Sequence, residues 1–174
     1  RNEILGHIRT ARVAVRTLPN VTDLAKGKVT ISDLRELDID DLLGREPVMP
    51  NDVLLAKNVR SKSVIVTGAG GSIGSELCRQ VAKYGPSKIV LYELSEFALY
   101  TIEQELTELF PALELVRLVA DVKDPLQIGS VMQRWRPQVV FHAAAYKHVP
   151  LMEQGNAWAA LRNNTLGTWH AARA

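Results

Sequence analysis

The chain has 174 residues, 47% of them hydrophobic and 23% charged, which is enough for one domain of ordinary size with or without an incomplete neighbour. Twenty-one basic residues against nineteen acidic ones leave a net charge of +2 with no basic cluster, so no nucleic-acid or anionic-membrane partner is expected. No apolar run is long enough to cross a bilayer, and the lone Cys78 excludes an intramolecular disulfide framework and fits a reducing compartment.

Taken in chain order, residues 11–18 (ARVAVRTL) are compatible with a strand. Residues 31–45 place Leu34, Leu37, Leu42 and Leu43 on short helical turns interrupted by Asp38, Asp40 and Asp41. Residues 1–60 read as a linker from an upstream domain. From residue 61 the pattern changes to alternating short β-branched runs and amphipathic stretches. SVIVT (63–67) is a strand, followed by Ile73, Leu77, Val81 and Tyr84 at helical spacing and a stop at Gly85-Pro86. KIVLYE (88–93) is a second strand, and Leu99, Ile102, Leu106 and Leu109 mark a second helix closed by Pro111. LVRLVA (115–120) is a third strand, Asp124-Pro125 caps a helix carrying Ile128, Val131, Met132 and Trp135, and QVVFH (138–142) is a fourth strand. Residues 156–174 are Ala-rich and predict one helix. Strands apolar on both faces, alternating with helices, predict an α/β fold with a doubly wound parallel sheet. Arg1 in place of an initiator Met, no secretory leader, and Ala174 inside a predicted helix lead to the expectation of a fragment, truncated on its C-terminal side.

The stretch VIVTGAGGSIG (64–74) runs from a strand through glycines into a helix. Gly68 permits the tight turn, Gly70 and Gly71 let a backbone approach a pyrophosphate, and Gly74 lets the helix lie close on the strand. The helix N-terminus offers free N–H groups and the positive end of its dipole to that anion, with the Ser72 hydroxyl as a further donor. Nineteen residues after Gly74, Glu93 closes the second strand, where a carboxylate can bind a ribose diol. A nicotinamide dinucleotide is therefore the expected cofactor. Glu93 favours NAD, whereas Ser95 offers a hydrogen bond to a 2′-phosphate, so both NAD and NADP stay open.

Beyond the third strand, Asp121 either accepts from the adenine amino group, with Val122 packing on the ring, or caps a turn. Ala143, Ala144 and Ala145, after the fourth strand, are small enough for a dinucleotide to lie across their backbone, or pack the sheet on a helix. Lys147 is a cation for substrate phosphate or the nicotinamide ribose, or a surface lysine. His142 and His148 lack a third ligand at a familiar spacing, so no metal site is expected. Asn164 shares a helical stripe with Leu161 and Thr168 and is predicted to face inward, while Gly167 serves helix packing and Cys78 packs inertly. Trp135, Trp158 and Trp169 read as core or interface residues.

Together, TGAGGSIGSELCRQ (67–80), LYELSEFALY (91–100), DVKD (121–124), FHAAAYKHVPLME (141–153) and NNTLGT (163–168) resemble the nucleotide-sugar 4,6-dehydratases of bacterial surface-polysaccharide synthesis. These are extended short-chain dehydrogenase/reductase proteins, and the similarity is to the UDP-N-acetylglucosamine 4,6-dehydratase branch in particular. Residues 17–45 resemble the segment that joins an upstream domain to the catalytic domain in long, membrane-anchored members. The resemblance implies a Rossmann-like fold, with residues 61–174 as the N-terminal part of an NAD(P)-binding domain. It also implies that NAD(P)⁺ takes hydride from sugar C4, water leaves across C5–C6, and hydride returns to C6. It assigns Gly68, Gly71, Ser72, Ile73, Gly74, Glu93, Asp121, Val122 and the alanines 143–145 to the cofactor, and Lys147 to the sugar side. The family's acid/base residues and the lysine on the nicotinamide ribose fall beyond residue 174, so no catalytic residue is expected here and the fragment alone is expected to be inactive. The implied partners are a UDP-sugar and further copies of the full-length protein, and the implied location is the cytoplasmic side of the inner membrane. A sugar epimerase or dehydrogenase, and a non-catalytic dinucleotide sensor, are the competing readings.

Overall fold

The computed structural model describes residues 16–17, 35–36 and 50–174. The chain divides into two compact units, residues 1–49 and 50–174. In the first, strand β1 (Arg16–Thr17) pairs antiparallel with β2 (Arg35–Glu36). Arg35 and Glu36 thus lie in a strand rather than in a helical turn: a ladder between distant segments overrides local apolar spacing. The rest of the readings made for residues 11–18 and 31–45 lies outside the described residues.

The second unit begins with helix α1 (Asp52–Val59), which the sequence reading had placed in the linker. Asn51 caps it by accepting from the Leu54 N–H at 3.1 Å, and Tyr84 donates to Asp52 at 2.7 Å. The remaining elements follow in the predicted alternation: β3 (Ser63–Thr67), α2 (Ser72–Lys83), β4 (Lys88–Glu93), α3 (Glu96–Leu109), β5 (Glu114–Val119), α4 (Pro125–Trp135) and β6 (Val139–His142).

The four strands β3–β6 form one parallel sheet in the order β5-β4-β3-β6. Alternating side chains on β3 and β4 feed two cores. Val64, Val66, Ile89 and Leu91 pack with Val59 of α1, Cys78 and Val81 of α2, and Leu99, Ile102 and Leu106 of α3. Ile65, Val90 and Tyr92 pack on the other face with Ile128, Val131 and Met132 of α4. Helices on both faces of a parallel sheet make the architecture doubly wound and Rossmann-like. The chain runs outward from β3 to β5 and then crosses back to place β6 on the other side of β3. That reversal opens a crevice at the carboxyl ends of β3 and β6, where such folds bind ligands.

After β6, a loop leads into α5 (Val149–Glu153), a short segment not anticipated from sequence. The predicted long helix 156–174 is divided into α6 (Ala157–Ala160), a π segment (Leu161–Gly167) and α7 (Thr168–Arg173). The widened turns sit at the asparagine pair, whose side chains bind the loop after β6. Trp158 and Trp169, 65% and 56% exposed, lie on the surface of this unit instead of in its core. Among the described residues no helix is long and apolar enough to cross a membrane.

Candidate functional site

The turn after β3 is built for close approach. Gly68 has φ +67°, and a Cβ there would lie 2.8 Å from the Ala144 backbone, so the turn and the loop after β6 touch main chain to main chain. The Gly71 N–H closes the turn on the Gly68 carbonyl at 3.0 Å. A Cβ on Gly74 would come within 2 Å of the same carbonyl oxygen, so only glycine lets α2 start directly over the turn. α-Helical geometry leaves the N–H groups of Ser72, Ile73 and Gly74 without intrahelical acceptors, facing out of the N-terminus with the positive end of the dipole.

At the mouth of this turn is a cavity of about 380 Å³, a size suited to a small-molecule ligand. It is lined by Gly68, Gly70 and Gly71 from the turn, Glu93 and Ser95 after β4, Asp121 and Val122 after β5, and Ala143, Ala144 and Ala145 after β6. Four segments distant in sequence thus meet because the parallel strands all end on one side. Ser72, Ile73, Gly74 and Lys147 do not line it. Ser72 and Ile73 are exposed at the helix tip, and Gly74 is buried beneath the turn.

Glu93 is held by backbone: one carboxylate oxygen accepts from the Gly70 N–H at 3.0 Å and the other from the Ser95 N–H at 2.9 Å. Ser95 caps α3 through its hydroxyl, which accepts from the Ala98 N–H. Asp121 realises the turn reading while also lining the cavity. Its side chain accepts from the Lys123 N–H at 2.8 Å and pairs with the Lys123 ammonium at 3.0 Å. The buried Tyr92 donates to the Asp121 carbonyl at 2.8 Å; burial first, then the charges of Asp121 and Asp124, raise its phenol well above the ordinary tyrosine value.

Lys147 reaches across to the tip of α2, its ammonium 3.1 Å from the Ser72 hydroxyl. It lines a second cavity of about 350 Å³ with His148, Leu151 and Met152, which shares Ala145 and Tyr146 with the first.

Among the cavity residues that sequence reasoning passed over, Asn163 is the most telling. It is 5% exposed, lines the first cavity and donates to the Ala144 carbonyl at 3.1 Å. Asn164 clasps the Tyr146 backbone from both sides, accepting its N–H at 2.9 Å and donating to its carbonyl at 2.8 Å. An α-helical stripe singles out Asn164 alone, and the π segment brings both amides to the loop. Tyr92, Leu94, Ala98, Ala120 and Tyr146 complete the lining. No cluster of metal-ligating side chains occurs among the described residues.

Residues 64–174 match the family model described as polysaccharide biosynthesis protein. The chain belongs to this family. This family member is 43% identical over 172 residues to the capsular polysaccharide biosynthesis protein CapD of Staphylococcus aureus, covering 98% of the chain and 28% of CapD. It is 31% identical over 93 residues to a UDP-N-acetylglucosamine 4,6-dehydratase (inverting) of Campylobacter jejuni, covering 53% of the chain and 26% of the enzyme. It therefore spans less than a third of the length of either relative. A short chain dehydrogenase from Mycobacterium smegmatis shares the fold, with a TM-score of 0.58 and 22% identity over 67% of this chain and 51% of that one. In this polysaccharide biosynthesis protein the glycine turn and the cavity both fall within the matched region.

Proposed function

We propose that this chain is the coenzyme-holding part of a nucleotide-sugar 4,6-dehydratase that converts a UDP-sugar, UDP-N-acetylglucosamine, to its 4-keto-6-deoxy derivative for surface-polysaccharide synthesis. One observation carries the coenzyme assignment. The N-terminus of α2 and the Lys147 ammonium converge at 3.1 Å on Ser72, two positive poles whose repulsion an intervening anion would relieve. Beside them, the main-chain contact of Gly68 with Ala144, which any Cβ would prevent, sets the glycine turn directly against the alanine loop. A dinucleotide fits this donor set. The N–H groups of residues 72–74 hold its pyrophosphate, the Glu93 carboxylate accepts from the adenosine ribose, and Asp121 and Val122 flank the adenine. The small side chains of Ala143, Ala144 and Ala145 let the rest lie across the backbone toward Lys147 and the second cavity, which we assign to the sugar nucleotide. When bound, NAD or NADP supplies reversible hydride acceptance. The residues of this chain bind and orient; the proton-transfer groups are assigned to the remainder of the full-length protein.

The C. jejuni relative supports the substrate assignment by its own name and by its match to this chain. Assembly of full-length copies and tethering at the cytoplasmic face of the inner membrane belong to the same proposal. The test is to incubate the full-length protein with UDP-N-acetylglucosamine and follow the product by mass spectrometry. Loss of one water is expected. An isomer of unchanged mass would replace the dehydratase with an epimerase, and full-length protein that neither retains nor takes up NAD or NADP would remove the coenzyme assignment.

A further inference from the structure

His142, the last residue of β6, lies between two hydroxyls. Its Nδ1 is 2.7 Å from Thr67 Oγ1 and its Nε2 is 3.0 Å from Thr168 Oγ1. A hydroxyl has one hydrogen, and that of Thr168 is committed to the Asn164 carbonyl at 2.6 Å. Thr168 can therefore only accept from His142, which fixes the proton on Nε2 and makes Nδ1 the acceptor for the fully buried Thr67 hydroxyl. The result is a one-way chain of donors: Thr67 to His142, His142 to Thr168, Thr168 to the Asn164 carbonyl.

Both ends of that chain adjoin residues of the cavity wall. Thr67 precedes Gly68, and its carbonyl accepts the Ala143 N–H at 3.0 Å. Asn164 clasps Tyr146, and its neighbour Asn163 holds Ala144. We infer that His142 is a positioning residue which, only as the neutral Nε2–H tautomer, ties β3 to the π segment and so holds the loop of residues 143–146 against the glycine turn.

A second proton would turn Nδ1 into a donor to Thr67 Oγ1 and leave the hydrogen of that buried hydroxyl without an acceptor among the described residues, which weakens the chain at its buried end. β3 carries no charged side chain. The titratable and charged groups on the elements around the imidazole are Tyr146, Lys147 and His148 beyond β6, Arg162 on the π segment, and His170 and Arg173 on α7. Lys147 is engaged with Ser72, and burial alone pushes the imidazole below its ordinary value. Because the folded state disfavours the proton, the clasp is complete above the ordinary histidine value of about 6.5 and is lost as pH falls through the lower folded value.

The inference that the clasp serves coenzyme binding rests on the function proposed above, so the test has one arm independent of coenzyme. Hydrogen exchange is measured by mass spectrometry on the full-length protein without ligand, corrected for intrinsic rates, from pH 5 to 8. Residues 143–147 and 161–168 are expected to lose protection in wild type as pH falls. In His142→Gln, which keeps a non-titrating amide donor, their protection should not change with pH. Thr168→Val, which removes the acceptor with little change of shape, should expose the same segments at every pH while α2 and β4 stay protected. Identical pH profiles for wild type and His142→Gln, or full protection in Thr168→Val, would overturn the inference. In the second arm, Thr168→Val is expected to weaken retention of NAD or NADP about tenfold at neutral pH; unchanged retention would remove the coenzyme role. If wild type binds neither dinucleotide, the functional proposal fails, and the exchange result still decides the clasp.

Discussion

At Gly68 two constraints coincide: a left-handed backbone and contact with Ala144 that leaves no room for a methyl group. Gly68→Ala is expected to lower the unfolding free energy by about 1–3 kcal/mol in urea titrations and to abolish dinucleotide retention by the full-length protein. Gly167 makes a different contact. A Cβ there would lie 2.9 Å from Val122 Cγ2, and Val122 lines the cavity. Gly167→Ala should push Val122 inward and weaken dinucleotide binding by about tenfold, read by fluorescence titration, for a stability loss of about 1–3 kcal/mol. Loss of stability with unchanged affinity would show that Val122 yields away from the cavity. The glycine turn was legible in the sequence because a left-handed backbone and close main-chain approach demand glycine, and the place of Glu93 because the apolar run of β4 ends there. The carboxylate's own partners, the N–H groups of Gly70 and Ser95, were not, since the former lies across the crevice from β4.

The helices of residues 63–142 were readable because each carries its own stop and start signals. Asp124 shows this directly: its side chain accepts from the N–H groups of Leu126 and Gln127 at 2.9 and 3.0 Å, with Pro125 in the first turn of α4. Asp124→Ala is expected to cost about 1 kcal/mol, measured by thermal or urea unfolding, with Asp124→Asn recovering most of it. Where elements were missed, local signals were weak or misleading. In α1 only Val59 is buried, so it shows little apolar periodicity. α5 begins at Val149-Pro150 with no side-chain cap, and its apolar residues Val149 and Leu151 are exposed. The π segment follows an Ala-rich, helix-favouring stretch, and what widens it lies elsewhere in the chain, in the Ala144 and Tyr146 backbone its asparagines bind. The amide contacts are tertiary facts, and no window of sequence around residues 161–167 contains them.

On the scale of the whole sheet unit, Cys78 serves as an internal reporter. It is fully buried in the core between β3, β4, α2 and α3, is the chain's one cysteine, and burial pushes its thiol up to about 12. In the 174-residue chain, a thiol reagent at pH 8 should leave Cys78 unmodified in native conditions and titrate one group in denaturant. Its slow native labelling should track the urea-dependent unfolding of the unit. Rapid native labelling would contradict the packing of α2 on the sheet. The doubly wound topology was itself predictable, because strands apolar on both faces need helices on both sides. The order β5-β4-β3-β6 has a further consequence, for the time course of self-assembly. β4 and β5 can each join the sheet through one helical crossover, but β6 must return to a strand 75 residues back, as the Thr67–His142 contact marks. That closure carries the largest chain-entropy cost in the ladder. The three-stranded portion β3-β4-β5 therefore has the shorter search, and the crevice between β3 and β6 is completed only by the most distant pairing.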